Sequence, residues 1–164
     1  YLHDMNIVQN FARLNRQAIA ADIIKSLKFT QLTSFSTVHN YIDTENKILR
    51  KGAISAQDGE RMIIPLNMRD GCLICKGKGN ADWNCSAPHG AGRALNRTDT
   101  VNAFTLSQYK KEMQGIYSTS ISRDTLDECP MAYKDSSTIM EQITPTVEII
   151  EKLTPVYNFK AGTR

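Results

Sequence analysis

The chain has 164 residues, a length that fits one domain. Its 20 lysines and arginines against 17 aspartates and glutamates give a net charge of +3, which permits a polyanionic partner without requiring one. No apolar stretch is long enough to cross a membrane, and four cysteines are few for a disulfide framework in a chain of this length, so we expect a soluble, cytoplasmic protein.

The first half of the chain begins with a helix pattern and continues with strand patterns. Asp4 can cap a helix whose apolar residues recur every three or four positions as far as Leu27. Four segments combine β-branched residues with apolar alternation and predict strands: residues 33–43, 47–56, 61–68 and 71–79. The turn between the last two places Gly71 where a positive φ is favoured.

The second half mixes helix and strand patterns. The patterns predict helices over residues 93–97 and 105–116, a strand over 115–121, a helix over 136–153 bent at Pro145, and a final strand over 154–162 that carries Lys160. No repeat or linker divides the chain. The sequence therefore predicts one domain of mixed α and β structure, in the α+β class.

The stretch CSAPHGAGR, residues 85–93, places His89 before two glycines and an arginine. Gly90 and Gly92 let the backbone approach a ligand, and a following helix would add its positive dipole end, a geometry that binds phosphate. His89 could then be a metal ligand, a general acid or base, or a nucleophile toward phosphorus, and the alternative is a solvated histidine in a glycine turn. Arg93 and Arg97, one turn apart on the predicted helix, favour the anion site.

Two further motifs carry side chains that could bind ligands. His39 and Asn40 lie in a polar break, where an imidazole could ligate a metal and an amide could hold a phosphate oxygen, although a hydrogen-bonding role at a strand end is the commoner outcome. Cys72 and Cys75 have the spacing of half a zinc site but lack a second pair. Because residues three apart in a strand face opposite sides, we interpret them as packing residues.

Taken in order, five motifs of this chain resemble the RtcB family of RNA-splicing ligases: HNY, RKGA, IPLNMRDG, KGKGNADWNCSAPHGAGR and YNFKA. The resemblance runs from the first helix to Lys160 but covers only the C-terminal half of the family's catalytic domain. It implies that residues 1–164 are the C-terminal portion of an RtcB-like domain, with strands and helices around a GMP and metal pocket, and that the N-terminal half is absent from this chain.

The resemblance also implies an activity and its residues. His89 matches the nucleophile that takes GMP from GTP to form a guanylyl-histidine, which then activates an RNA 3′-phosphate (or 2′,3′-cyclic phosphate) for joining to a 5′-hydroxyl end with the help of Mn²⁺. His39 matches a manganese ligand, and Arg93 and Arg97 would face RNA or nucleotide phosphates. The positions that match the GMP pocket are His39, Asn40, Pro65, Leu66, Asn67, Met68, Cys72, His89, Gly90, Ala91, Gly92 and Lys160.

Two departures and one absence qualify these implications. Cys72 and Asn96 stand where the family commonly has serine, and a thiol is a poorer hydrogen-bond donor than a hydroxyl. The family's other manganese ligands belong to the N-terminal half, so we expect a complementing chain as a partner and an apolar surface left exposed where it would pack. The alternatives are a non-catalytic nucleotide- or RNA-binding fragment, and a metal-dependent RNA phosphoesterase that uses His39 and His89.

Overall fold

Alternating apolar and polar residues build two antiparallel sheets of three strands each. The computed structural model describes residues 1–160 of the chain. Its strands are β1 (His39–Asp43), β2 (Ile48–Ser55), β3 (Arg61–Asn67), β4 (Gly71–Gly77), β5 (Ser86–Pro88) and β6 (Val147–Leu153). The first sheet has the order β1-β2-β5 and the second the order β3-β4-β6. Together with the helices, these sheets confirm the predicted α+β class.

The helices are short except for the first. They are α1 (Leu2–Ser26), α2 (Arg97–Ala103), α3 (Leu106–Glu112) and α4 (Ser136–Gln142), with 3₁₀ turns at Ala81–Trp83, Arg123–Glu128 and Pro130–Ala132. Polar side chains cap the short ones: Asn96 caps α2, Thr105 caps α3 in a reciprocal pair with Gln108, and Asp135 caps α4. These caps satisfy backbone N–H groups that the first helical turn leaves without partners.

Two clusters of buried side chains form the core. The first joins both sheets to α4, with its largest members Ile54, Met62, Ile64, Leu66, Leu73, Ile139, Ile143 and Val147. The second surrounds α3 and consists of Met68, Tyr109, Met113, Leu126, Cys129 and Ala132. Because Leu66 belongs to the first cluster and Met68 to the second, the segment between them is fixed by packing on both sides.

Helix α1 contributes nothing to either cluster, because none of its residues is buried. It is tied to β1 and the following turn by hydrogen bonds, since Gln9 accepts from the N–H of Ile42 at 2.8 Å and Asn6 accepts from Thr44 at 3.3 Å. Its large apolar residues are exposed, including Phe11 at 68%. Large apolar side chains are therefore exposed along this helix, and the apolar surface expected for a complementing chain stays a prediction. No helix within residues 1–160 is both long and apolar enough to span a membrane.

The helix predicted over residues 136–153 is wrong in its second half. Only Ser136–Gln142 is helical, and Val147–Leu153 is strand β6, which pairs antiparallel with β4 over its whole length. Pro145 ends the helical run because proline cannot continue the backbone hydrogen-bond pattern. After Pro145, the apolar residues whose spacing suggested a helix face belong to a strand that pairs with β4. This pairing supplies the backbone hydrogen-bond partners that a short helix would have lacked.

Three other predicted elements are corrected. Residues 93–97 do not form a helix: Arg93 makes an isolated bridge to Tyr133, and the helix starts only after Asn96. The strands predicted over residues 115–121 and 154–162 reduce to one parallel bridge between Ser118 and Asn158, and residues 161 and 162 lie outside the described part of the chain. Side-chain bonds replace a ladder there, because the hydroxyl of Ser118 donates to the carbonyl of Asn158 at 2.9 Å.

Candidate functional site

A cavity of about 840 Å³ collects residues from both sheets, from the 3₁₀ turn that ends at Glu128, and from the segment after β6. Every site residue predicted from the sequence lines it, except Asn40. These lining residues are His39, Pro65, Leu66, Asn67, Met68, Cys72, His89, Gly90, Ala91, Gly92, Arg93, Arg97 and Lys160. Folding thus brings into one concave site positions that are spread over most of the sequence, as a ligand pocket requires.

Two histidines face each other at this cavity. His39 opens β1 and His89 directly follows β5, and both strands pair with β2. The ring centroids of His39 and His89 lie 5.1 Å apart, with the rings at 73°. The two imidazoles are close enough to act on one ligand.

The environment of His89 favours its neutral form. Burial lowers the pKa of His89, and the nearby His39 lowers it further. The Nδ1 atom of His89 is buried and has no hydrogen-bond partner among the described residues. A buried ring nitrogen without a partner is an unusual feature that a functional role would explain. A neutral imidazole retains the lone pair that a nucleophile or a metal ligand needs.

Asn40 lies outside the cavity lining and is bonded to the neighbouring strand. It occupies an irregularity between His39 and Tyr41, with φ of 53°, a left-handed conformation that asparagine tolerates. Its side-chain oxygen accepts a hydrogen bond from the N–H of Gly52 at 2.6 Å. The carbonyl of Gly52 in turn accepts from the N–H of His89 at 3.2 Å. In this structure Asn40 therefore supports His89 through Gly52 and lies next to His39 in the chain.

The segment from Pro65 to Met68 forms one wall of the cavity. The side chain of Asn67 is held by the turn that follows it, because its oxygen accepts from the N–H groups of Arg69 and Asp70, both at 2.9 Å, and its amide donates to Asp70 at 2.8 Å. The sulfur of Met68 accepts from the hydroxyl of Tyr109 at 3.0 Å. Asn67 and Met68 are thus fixed from within the fold.

The glycines after His89 let two backbone segments meet. The N–H of Ala91 donates to the carbonyl of Pro65 at 3.1 Å. A Cβ atom on Gly90 would lie 3.0 Å from that same carbonyl oxygen, closer than side-chain carbons normally approach. Gly92 adopts φ of 72°. Gly90 therefore serves this close approach and Gly92 serves the positive φ. The predicted helix dipole does not join them, because no helix follows directly.

The two cysteines of the CxxC spacing lie in different environments. Cys75 is fully buried in the first core cluster, and burial raises the pKa of its thiol to about 11. Cys72 is half-buried on the cavity wall, and burial also raises the pKa of its thiol. Both thiols are free and protonated at neutral pH. The interpretation of Cys75 as a packing residue is confirmed, while Cys72 faces the site.

Three cations line the far side of the cavity, and two acidic residues hold them. Arg97 pairs with both Asp127 and Glu128, Arg93 pairs with Glu128 at 3.4 Å, and Lys160 pairs with Glu128 at 3.2 Å.

Asn96 caps α2 by accepting from the N–H of Asp99 at 2.9 Å, so it fills the capping role that serine also fills well.

Sequence reasoning missed Asp127, Glu128 and Tyr133. The acidic pair lies in a 3₁₀ turn some 30 residues after the arginines that it contacts. Tyr133 donates its hydroxyl to Glu128 at 2.6 Å, and the Arg93 guanidinium lies 5.2 Å from its ring centre. No local pattern marks these residues, because only the tertiary fold brings Glu128 and Tyr133 to the cavity and Asp127 to Arg97.

The described residues do not complete a metal site. Among residues 1–160, no group of three or more histidine, cysteine, aspartate or glutamate side chains is arranged to hold a metal ion. His39 and His89 therefore offer at most two ligands, whereas protein metal sites usually take three or more from the chain. A phosphoesterase centre built on these two histidines would lack a third ligand from this part of the chain.

Comparison with known proteins shows to which family the chain is similar. A family model described as tRNA-splicing ligase RtcB matches residues 1–161. The chain is 32% identical over 173 aligned residues to the RNA-splicing ligase RtcB of Escherichia coli strain K12, an alignment that covers 95% of this chain and 42% of that protein. It is 31% identical to the tRNA-splicing ligase RtcB of Aeropyrum pernix, over 82% of this chain and 36% of that protein. The chain thus spans less than half the length of these relatives.

Proposed function

The chain belongs to the RtcB family of tRNA-splicing ligases, and on that basis we propose that it supplies the nucleophile and most of the nucleotide pocket of a GTP-dependent RNA ligase. One observation carries the proposal: His89 lines one cavity together with His39, Lys160 and two arginines. This combination supports an unprotonated nucleophile in a cavity whose cations suit phosphate oxygens.

In the first proposed step, a ring nitrogen of His89 attacks the α-phosphorus of GTP. A phosphorus–nitrogen bond forms, the bond from the α-phosphorus to the bridging oxygen breaks, and pyrophosphate leaves. The lowered pKa of His89, which follows from burial and from His39, supports this role because only an unprotonated nitrogen can attack. Arg93 and Arg97 lie at the same cavity, where guanidinium groups would stabilise charge on the phosphates.

In the later proposed steps, the guanylyl group passes from His89 to an RNA 3′-phosphate. A 5′-hydroxyl end then attacks this activated phosphate, and GMP leaves as the strand is sealed. The cavity is open to such ends because Arg97 is a lining residue whose side chain is 64% exposed. An exposed arginine at the rim suits an RNA phosphate, which stays partly solvated when bound.

We propose that the other portion of the relatives' length completes the site from a separate chain or segment. Manganese would need it, because His39 offers one ligand and the described residues provide no group of three. Helix α1 supports this arrangement, since its apolar side chains are exposed and none of its residues is buried. Exposed apolar surface of this extent is typical of a protein interface.

The alternative is a non-catalytic fragment that binds nucleotide or RNA without turnover. This alternative is favoured because residues 1–160 hold no group of three ligands for a metal. Under this alternative the cavity would bind GMP, but His89 would not become guanylylated. The two proposals therefore differ in a covalent product.

The test is the intact mass of the chain after incubation with GTP and Mn²⁺, measured at alkaline pH because a phosphorus–nitrogen bond hydrolyses in acid. We expect a shift of one GMP in the wild type, or in the wild type mixed with the N-terminal portion of a relative. The shift should vanish in His89→Ala and persist in His3→Ala, which changes an exposed histidine on α1. Labelling of His89→Ala would overturn the assignment of the nucleophile. No labelling of the wild type, alone or in the mixture, would leave the non-catalytic alternative.

A further inference from the structure

Two tyrosines form an exposed aromatic pair beside the segment that follows β6. The ring centroids of Tyr117 and Tyr157 lie 5.6 Å apart, and the rings are inclined by 32°. Tyr117 is 68% exposed and Tyr157 is 48% exposed, so each residue has a large part of its surface in solvent. The hydroxyl of Tyr157 lies 2.8 Å from the hydroxyl oxygen of Thr119, and this hydrogen bond fixes the outer end of the ring. The pair is therefore an ordered aromatic surface that is largely uncovered within residues 1–160.

The segment that carries Tyr157 also forms part of the cavity wall. Asn158 and Lys160 line the cavity, while Tyr157 between β6 and Asn158 faces solvent. The amide of Asn158 donates to the carbonyl of Met68 at 2.7 Å, which holds this segment against the cavity. The N–H of Asn158 donates to the carbonyl of Tyr117 at 3.0 Å. The tyrosine pair is thus attached directly to the rim of the cavity.

We propose that Tyr117 and Tyr157 form a stacking platform for an unpaired base of the RNA strand whose end enters the cavity. This inference rests on the proposed function, which assigns the cavity to the joining of RNA ends. Proteins that bind single-stranded RNA combine cations for the phosphates with aromatic side chains on which the bases stack. Both features occur here, because Arg97 lines the cavity with a side chain that is 64% exposed and the tyrosines lie at the rim.

The composition of this platform favours RNA over a protein partner. The exposed apolar face of α1 consists of aliphatic side chains and a phenylalanine, which is the kind of surface that packs against another protein. The residues after Tyr117 are instead Ser118 and Thr119, whose hydroxyls bond to Asn158 and Tyr157. A base can stack on the rings while its polar edges stay near hydroxyl groups and water. Because every base has a π face, the platform should hold RNA ends without selecting their sequence.

The test measures the affinity of the full chain for a 5′-labelled RNA hexamer with a 3′-phosphate, by fluorescence anisotropy at fixed salt concentration. Tyr117→Ala should lower this affinity roughly tenfold, the loss expected for one stacked base, whereas Tyr117→Phe keeps the ring and should bind as the wild type does. Trp83→Ala is the matched control, because it removes an aromatic side chain that is 56% exposed from a 3₁₀ turn outside the cavity lining. It should leave the affinity unchanged.

A second RNA separates stacking from charge. A hexamer of abasic sugars keeps its phosphates but has no bases, so Tyr117→Ala should not change its affinity. An equal loss for both RNAs would overturn the platform, and so would unchanged binding of the hexamer with bases or a wild type that binds no RNA. If Tyr117→Ala weakens binding of the N-terminal portion of a relative and leaves RNA binding unchanged, the pair is a protein interface and the proposal is wrong.

The covalent test of the proposed function gives an independent answer, because it uses GTP without RNA. Guanylylation of His89 together with unchanged RNA affinity in Tyr117→Ala would reject the platform and retain the ligase. A wild type that is not guanylylated, together with a base-dependent loss in Tyr117→Ala, would reject the ligase and retain the platform as an RNA-binding surface.

Discussion

The side-chain oxygen of Asn40 accepts a hydrogen bond from the N–H of Gly52, and the carbonyl of Gly52 accepts one from the N–H of His89. This chain of contacts runs from β1 through β2 to His89, which directly follows β5 and is the residue that we propose as the nucleophile. Asn40 sits beside His39 in the irregular part of β1, so the same residue influences both histidines. The motif match assigned Asn40 to the nucleotide, whereas its bonds here point to support of the site.

Replacing Asn40 tests this supporting role. Asn40→Gly keeps the left-handed backbone but loses the acceptor, and we expect the rate of His89 guanylylation to fall roughly tenfold because the nucleophile is no longer held in line. Asn40→Asp retains an acceptor oxygen and should restore most of the rate. Single-turnover mass spectrometry measures both, in the mixture that supports labelling. If Asn40→Asp loses as much of the rate as Asn40→Gly, the group that both variants lack, the amide nitrogen, contacts the ligand and the supporting role is wrong.

The sequence predicted part of the fold and placed its candidate site residues correctly with respect to one another. The strands β2, β3 and β4 follow from their own alternation, and the residues assigned to a site from the sequence all line one cavity except Asn40. Strand β6 was misread because its apolar residues also match helical spacing, and only pairing with β4 decides between the two. Glu128 was missed for a related reason: its partners are distant in sequence, so no local pattern reports them.

The buried charge of Arg50 makes Asp43 a strong stability determinant. Arg50 is 1% exposed, and it donates to Asp43 at 3.0 Å, to Tyr41 at 2.9 Å and to Ser86 at 2.9 Å. Asp43→Asn leaves that charge without its counter-ion, and we expect the free energy of unfolding to fall by about 3 kcal/mol. Urea unfolding measures the loss. Asp4→Asn, at an exposed position of α1, should change it by less than about 0.5 kcal/mol.

Acid should destabilise the protein in a defined range. The pKa of Asp43 is lowered to about 2 by hydrogen bonds from Asn46, that of Asp70 to about 2 by hydrogen bonds from Arg69, and that of Glu128 is also about 2. Their ordinary values are 3.8 and 4.5, so the unfolded chain binds protons that the folded chain does not. The stabilisation that these three carboxylates contribute is therefore fully present above their ordinary pKa values, and it is lost as the pH drops toward 2.

Urea unfolding at a series of pH values measures this loss. Asp70→Asn removes one of the three carboxyls, and we expect a lower stability at neutral pH together with a shallower decline in acid. A decline of unchanged steepness in this variant would show that Asp70 does not contribute to the proton uptake.

Gly71 is required both by its backbone conformation and by its surroundings. It has φ of +77°, and a Cβ atom there would lie 1.9 Å from the carbonyl oxygen of Leu153. Gly71→Ala should lower the free energy of unfolding by about 3 kcal/mol or more, because β4 and β6 would have to separate at the edge of the cavity. Gly115→Ala is the control, since Gly115 has φ of +87° with nothing within 4 Å, and strain alone should cost about 1 kcal/mol. Equal losses in thermal unfolding would mean that the strands adapt to the extra carbon.

The exposed face of α1 should control association without controlling stability. Phe11 is 68% exposed, so Phe11→Asp removes apolar surface that faces mostly solvent within residues 1–160, and the free energy of unfolding should change by less than about 0.5 kcal/mol. Binding of a hydrophobic dye, and any self-association seen by sedimentation, should decrease because the patch is interrupted by a charge. Asn15→Asp adds the same charge at an exposed polar position of α1 and should leave both readouts unchanged. A large loss of stability in Phe11→Asp would show that this face of α1 is packed in the folded chain.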